Sequence, residues 1–137
     1  MAVTLDLGDA KDIHPKNKQD VGKRLALVAL DQVYKIPTDY FGPLYKTFKI
    51  AGNRVEIFFD HSKGITSQRT GLAGFQIAGS DKIFHWAKAQ VTNGKVIVWS
   101  DQVAKPVSVR YAWGDNPAAN LTNRSGLPAS PFRTDQW

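Results

Sequence analysis

His14 follows an acid by two positions, in the stretch Asp12-Ile13-His14-Pro15-Lys16-Asn17-Lys18-Gln19. An imidazole can move a proton near neutral pH, and a neighbouring carboxylate fixes its tautomer and supports the charge it acquires. That pairing is what a serine hydroxyl needs, because the hydroxyl alone is a poor nucleophile. Asp12 and Asp9 are both near enough in sequence to serve as the acid. On spacing alone a plainer reading comes first: Asp12 caps a helix and His14 is a partly exposed polar residue. A metal centre asks for three or four ligands, and Asp12 and His14 supply two. His61 and His85 fall in strand-like stretches without ligand spacing, and they read as structural or surface residues. No metal and no cofactor is expected.

These residues need a scaffold, and the periodicity supplies one. Val3-Thr4-Leu5-Asp6-Leu7 alternates and reads as a short strand. From Val21 the apolar residues fall at Leu25, Val28 and Ala29, with Leu27, Leu30 and Val33 widening the stripe, so an amphipathic helix is expected over Pro15–Tyr34. Pro15 suits its first turn and Asp12 or His14 its cap; Pro37 stops it. The period then changes to two. Thr47–Ala51 and Arg54–Asp60 flank Gly52-Asn53 as a hairpin. Leu72–Ala78, Lys82–Val91, Lys95–Trp99 after the Asn93-Gly94 turn, and Pro106–Trp113 are further strands. Short strands at this spacing predict an antiparallel sandwich. In the last of them Val107, Val109, Tyr111 and Trp113 form the apolar face, so Trp113 is expected to be packed and Arg110 to face outward. Beyond Gly114 the chain is rich in Gly, Pro, Asn and Ser, and it is ordered if it packs on something.

Composition narrows the function classes. With 42% hydrophobic and 22% charged residues the chain can build an ordinary globular core. It has no apolar run long enough to span a membrane. Without cysteine it has neither disulfides nor thiolate metal sites. The opening stretch Ala2–Leu7 is not expected to act as a leader, since it is too short and carries Asp6. The net charge of +6 is spread singly along residues 35–137, whereas residues 1–34 balance five basic against five acidic side chains. A phosphate-binding surface needs clustered charge, so nucleic acid is not an expected partner.

Four stretches, in order, resemble one family. Asp12–Gly22 resembles the histidine-bearing block of the sialate O-acetylesterase family, SGNH-type serine esterases that remove acetyl groups from sugars. Tyr40-Phe41-Gly42-Pro43-Leu44-Tyr45 resembles its "GPLY" connection. Leu72–Gly79 resembles its "GF-IAG" strand. Val109–Trp113 with Gly126–Asp135 resembles its C-terminal signature.

The resemblance implies a mainly β chain forming the C-terminal part of such an esterase. Residues 1–36 would be a strand-loop-helix remnant of the α/β SGNH catalytic domain, and residues 37–137 an accessory antiparallel β-sandwich. It makes His14 the triad base. Many SGNH enzymes place the acid three residues earlier, where this chain has Lys11; Asp12 is the nearest match. The family's Gly-Gln-Ser-Asn nucleophile motif is not found. Ser62, Ser67, Ser80, Ser100, Ser108, Ser125 and Ser130 all lack Gly-x-Ser surroundings. The expected partners are therefore a missing N-terminal SGNH segment and an acetylated glycan, with the isolated chain inactive. The resemblance also implies a periplasmic or extracellular location. Two other readings stand beside it. One is a non-catalytic carbohydrate-binding or interaction module, for which Phe75, Trp86, Trp99, Tyr111 and Trp113 offer a stacking platform, although aromatics in alternating strands are usually core. The other is an assembly surface, in which the stripe Val21, Leu25, Val28 and Leu30 docks on the sandwich or on another copy of the chain to give a homo-oligomer.

Overall fold

Alternating apolar residues in short segments bury one face each, and here they do so in two antiparallel sheets. The computed structural model describes residues 1–14, 16–67 and 71–137. Helix α1 is Lys18–Gln32. The strands are β1 (Leu44–Ala51), β2 (Arg54–Asp60), β3 (Thr66–Ser67), β4 (Phe75–Ala78) and β5 (Phe84–Trp86), then β6 (Lys88–Thr92), β7 (Lys95–Trp99), β8 (Ser108–Tyr111), β9 (Leu121–Thr122) and β10 (Phe132–Arg133). One four-stranded sheet has the order β1-β2-β7-β6, a second has β10-β8-β4-β5, and β3 pairs with β9.

The core lies between the two larger sheets. Val55, Ile57 and Phe59 of β2 and Val96 and Val98 of β7 face Phe75, Ile77, Val109, Tyr111 and Phe132. Phe132, Tyr111 and Phe75 lie opposite one another on neighbouring strands. Their ring centroids are 5.8 and 4.6 Å apart, within the range where aromatic pairs add to simple burial.

Both expected hairpins form. Asn93 and Gly94 both have positive φ (50° and 76°), as the tight turn between β6 and β7 requires. The stretch Lys82–Val91 is not one strand. It divides at Ala87, whose N–H donates to the Phe75 carbonyl at 3.0 Å; β5 before it joins β4, and β6 after it joins β7. The chain thereby turns a corner from one sheet to the other.

The N-terminal strand expected over Val3–Leu7, and with it the strand of a strand-loop-helix unit, is absent. Leu7 instead closes a turn onto the Thr4 carbonyl at 3.0 Å, and the Val3 carbonyl accepts from Arg24. The helix begins later than expected. Asn17, rather than Asp12 or His14, caps it: its side chain accepts from the Asp20 N–H at 3.1 Å and donates to the Asp20 carboxylate at 2.7 Å. That donation, followed by the one from Lys23, holds the Asp20 carboxyl below its usual range. Pro15, expected at the first turn, lies outside the described residues.

Trp113 is not packed as expected but 47% exposed. Ala112 sits at φ 51°, which breaks the alternation and turns the next side chain off the core face. The tail beyond Gly114 is ordered because it packs: Leu121 and Ala129 are fully buried and Phe132 nearly so.

Candidate active site

The loop leading into α1 is built from hydrogen bonds within itself. Asp9 and Asp12 form a bridge, with Asp12 N–H on the Asp9 carbonyl at 3.4 Å. The Asp9 carboxylate accepts from the Lys11 N–H at 2.9 Å. This folds residues 9–12 into a tight turn and brings the Asp12 side chain back over the chain that follows. Asp12 Oδ1 then accepts from the His14 N–H at 2.9 Å and lies 3.2 Å from His14 Nδ1.

The structure thus separates the two acids. Asp12 holds the imidazole, whereas Asp9 shapes the turn. Lys11, the position three before the histidine, contributes its backbone. A carboxylate beside Nδ1 favours the tautomer that carries its proton there, with Nε2 as the accepting nitrogen. The side chain of His14 is 80% exposed and that of Asp12 43%, so the pair is open to solvent. The plainer reading keeps half its content: His14 is exposed, but Asp12 caps no helix.

The dyad loop is tied to the helix behind it. Arg24 of α1 grips both oxygens of Asp6 and raises its already high pKa through that contact. On the other side an open recess of about 330 Å³ runs between Leu5, Asp6 and Gly8 and the segment 117–120. The Asn120 side chain braces that wall, donating to the Gly71 carbonyl and accepting from the Ala73 N–H. Among the described residues, no group of three or more His, Asp or Glu side chains is placed to hold a metal ion. His61 is exposed and lies edge-on to Tyr40 and Phe41, and His85 is half-buried opposite Ile77. No helix among the described residues is long and apolar enough to cross a membrane.

The chain overlays the crystal structure of XAC1771, a novel carbohydrate acetylesterase from Xanthomonas citri, with a TM-score of 0.96 and 47% sequence identity. The match takes in 99% of this chain and 32% of that one. The chain is related to a carbohydrate esterase. It spans about a third of the length of that relative, and no family model and no curated protein matches it.

The structure brings the expected residues Asp12 and His14 into contact, and it adds a pairing of Asp6 with Arg24 that the sequence did not signal. Nothing in the local pattern signals it, because its partners are brought together only when the helix folds back along the first residues. The sequence also left Asp9 as an alternative acid. The Asp-x-Lys order, with a side-chain oxygen able to accept from the N–H two residues on, was the signal for a turn residue.

Proposed function

We propose that this chain is the C-terminal part of an SGNH-type serine carbohydrate O-acetylesterase of the sialate O-acetylesterase kind. In this reading His14 is the general base, Asp12 orients it, and the nucleophilic serine and oxyanion donors come from an N-terminal segment. Residues 1–36 belong to the catalytic layer and residues 37–137 to the accessory sandwich. The single observation that carries it is the contact of Asp12 Oδ1 with His14 Nδ1 at 3.2 Å on an open surface.

The chemistry follows from that geometry. Nε2 takes the proton of a serine Oγ as the oxygen attacks the acetyl carbonyl, and returns it to the sugar oxygen as the ester bond breaks. Asp12 stabilises the transient imidazolium and keeps Nε2 aimed outward. A water then repeats the cycle and releases acetate.

Helix α1 supports the reading. It contains no fully buried residue, and Leu25 stands 51% exposed. Apolar side chains facing outward are what a helix that covers a sheet presents when the sheet is supplied by another segment. The related acetylesterase, three times as long, supports a larger catalytic unit.

The test is reconstitution. The 137-residue chain alone is expected to leave p-nitrophenyl acetate intact. Joined to an SGNH segment carrying the serine and oxyanion donors, it is expected to hydrolyse acetylated sugars, and His14→Ala abolishes that activity. Robust hydrolysis by the isolated chain, abolished by His14→Ala, would refute the fragment reading. A fused protein indifferent to His14→Ala would refute the role of the dyad.

A further inference from the structure

Strand register places four side chains in one line across the second sheet. Trp86 of β5 lies opposite Gln76 of β4, Gln76 opposite Arg110 of β8, and Arg110 opposite Arg133 of β10. Directly opposed residues share a face. The adjacent row, Phe75, Tyr111 and Phe132, fills the core, so this line looks away from it. Three interstrand steps make it roughly 14 Å long. Trp113 extends it, with the Arg133 guanidinium 5.4 Å from its ring centroid. A recess of about 360 Å³ beside Trp113 continues past Gly114 and Pro131.

The ends of the line are aromatic and open: Trp86 is 71% exposed and Trp113 47%. Its middle is polar and rigid. Arg110 donates twice to Asp135, at 2.9 and 2.7 Å, and lies 3.9 Å over the Phe84 ring. One exposed indole is unremarkable on a surface. Two indoles bracketing planar hydrogen-bonding groups are another matter, because that composition suits a sugar chain. The C–H faces of pyranose rings cover indoles, and their hydroxyls pair with an amide and guanidinium N–H groups. A protein partner would ask for a broader apolar centre than a line with Gln76 and Arg110 in its middle.

We infer that this line binds a linear neutral oligosaccharide on the sandwich itself. The ligand class rests on the carbohydrate reading above; the location does not. The binding holds the polysaccharide to which acetylated units are attached.

The test uses tryptophan fluorescence and NMR of the 137-residue chain with acetylated xylan, the same xylan after deacetylation, and sialyllactose. Both xylans are expected to bind saturably. Trp86→Ala and Trp113→Ala each weaken binding by at least about fivefold, the scale of one lost ring contact, and His14→Ala leaves it intact. Absence of binding, binding of sialyllactose alone, or binding unchanged in both tryptophan variants overturns the inference. So does binding that requires acetyl groups and is lost with His14→Ala. Xylan binding retained in a fused protein that hydrolyses nothing overturns the esterase reading alone.

Discussion

Arg24 and Asp6 form a two-pronged ion pair, with Nη1 on Oδ1 at 2.6 Å and Nη2 on Oδ2 at 2.7 Å. The guanidinium belongs to the helix and the carboxylate to the segment that runs into the dyad loop. The same Nη1 also holds the Val3 carbonyl at 2.8 Å, and the Arg24 side chain is only 12% exposed. Arg24→Ala leaves a carboxylate and a carbonyl short of partners in a half-dry place, at an expected cost of about 2–3 kcal/mol. Arg24→Lys recovers part of it, since one ammonium cannot match two parallel bonds. Urea denaturation measures the loss, and hydrogen exchange should show residues 3–14 opening first. An unchanged midpoint in Arg24→Ala would remove the pair from any role in placing the loop.

Gly42 is expected to be the least replaceable residue between helix and sandwich. A Cβ there would run into the carbonyl oxygens of Pro128 and Leu127. The same joint is stitched by Asn123 Nδ2 on the Phe41 carbonyl at 3.0 Å and the Ser130 N–H on the Pro43 carbonyl at 3.2 Å. Gly42→Ala should cost about 1–3 kcal/mol through forced backbone displacement, whereas Gly94→Asn, at an open turn that tolerates positive φ, should cost far less. Thermal melts of the two variants compare them directly, and equal melting temperatures would contradict the close packing.

Gly42 also shows what could be read in advance. The GPLY and GLPASPFR stretches were legible as separate signatures, yet their meaning is mutual contact, which no local pattern encodes. The hairpins were readable because alternation and turn residues act within a few positions. The corner at Ala87 was not, since nothing local distinguishes a long strand from two short ones that separate to join different sheets. Trp113 was misplaced for a related reason: alternation extrapolates only while the backbone stays extended, and Ala112 leaves that region. Asp12 and His14 were legible as a pair because their contact spans two residues. Their openness to solvent was not, because exposure is a property of the whole surface.

Two buried groups, Tyr111 and Asp135, are expected to make the stability of the sandwich depend on pH. Burial pushes the Tyr111 phenol from 10.0 up to about 12, against the lowering pull of the Leu121 N–H that donates to its oxygen at 2.9 Å. A raised folded value means that stability is fully present below pH 10.0 and falls as the pH climbs toward about 12, where the unfolded chain ionises first. Asp135 behaves oppositely. Its bonds from Arg110 hold it below 3.8, so its contribution is present above 3.8 and is lost as the pH drops through the lowered folded value. Melting temperature against pH should therefore slope at both ends. Tyr111→Phe should flatten the alkaline arm while costing about 1–3 kcal/mol for the stranded Leu121 N–H, and Asp135→Asn should flatten the acid arm. Arms that survive both substitutions would assign the slopes to other groups.

Asp12 and Asp9 should separate by function. Asp12→Asn keeps the shape of the loop but replaces the acceptor of the Nδ1 proton with a group that can present either donor or acceptor. In the reconstituted esterase kcat should fall roughly 10²–10⁴-fold with KM little changed, because the tautomer and the imidazolium lose their support. Asp9→Asn should be mild, since an amide oxygen can still accept from the Lys11 N–H, and Asp9→Ala should lie between the two. The isolated chain provides a readout without turnover. Nitrogen NMR of the His14 ring should show the Nδ1-protonated tautomer in the parent and in Asp9→Asn, and a mixture in Asp12→Asn. A parent chain already showing an even mixture, or an Asp12→Asn enzyme of full activity, would strip Asp12 of the orienting role.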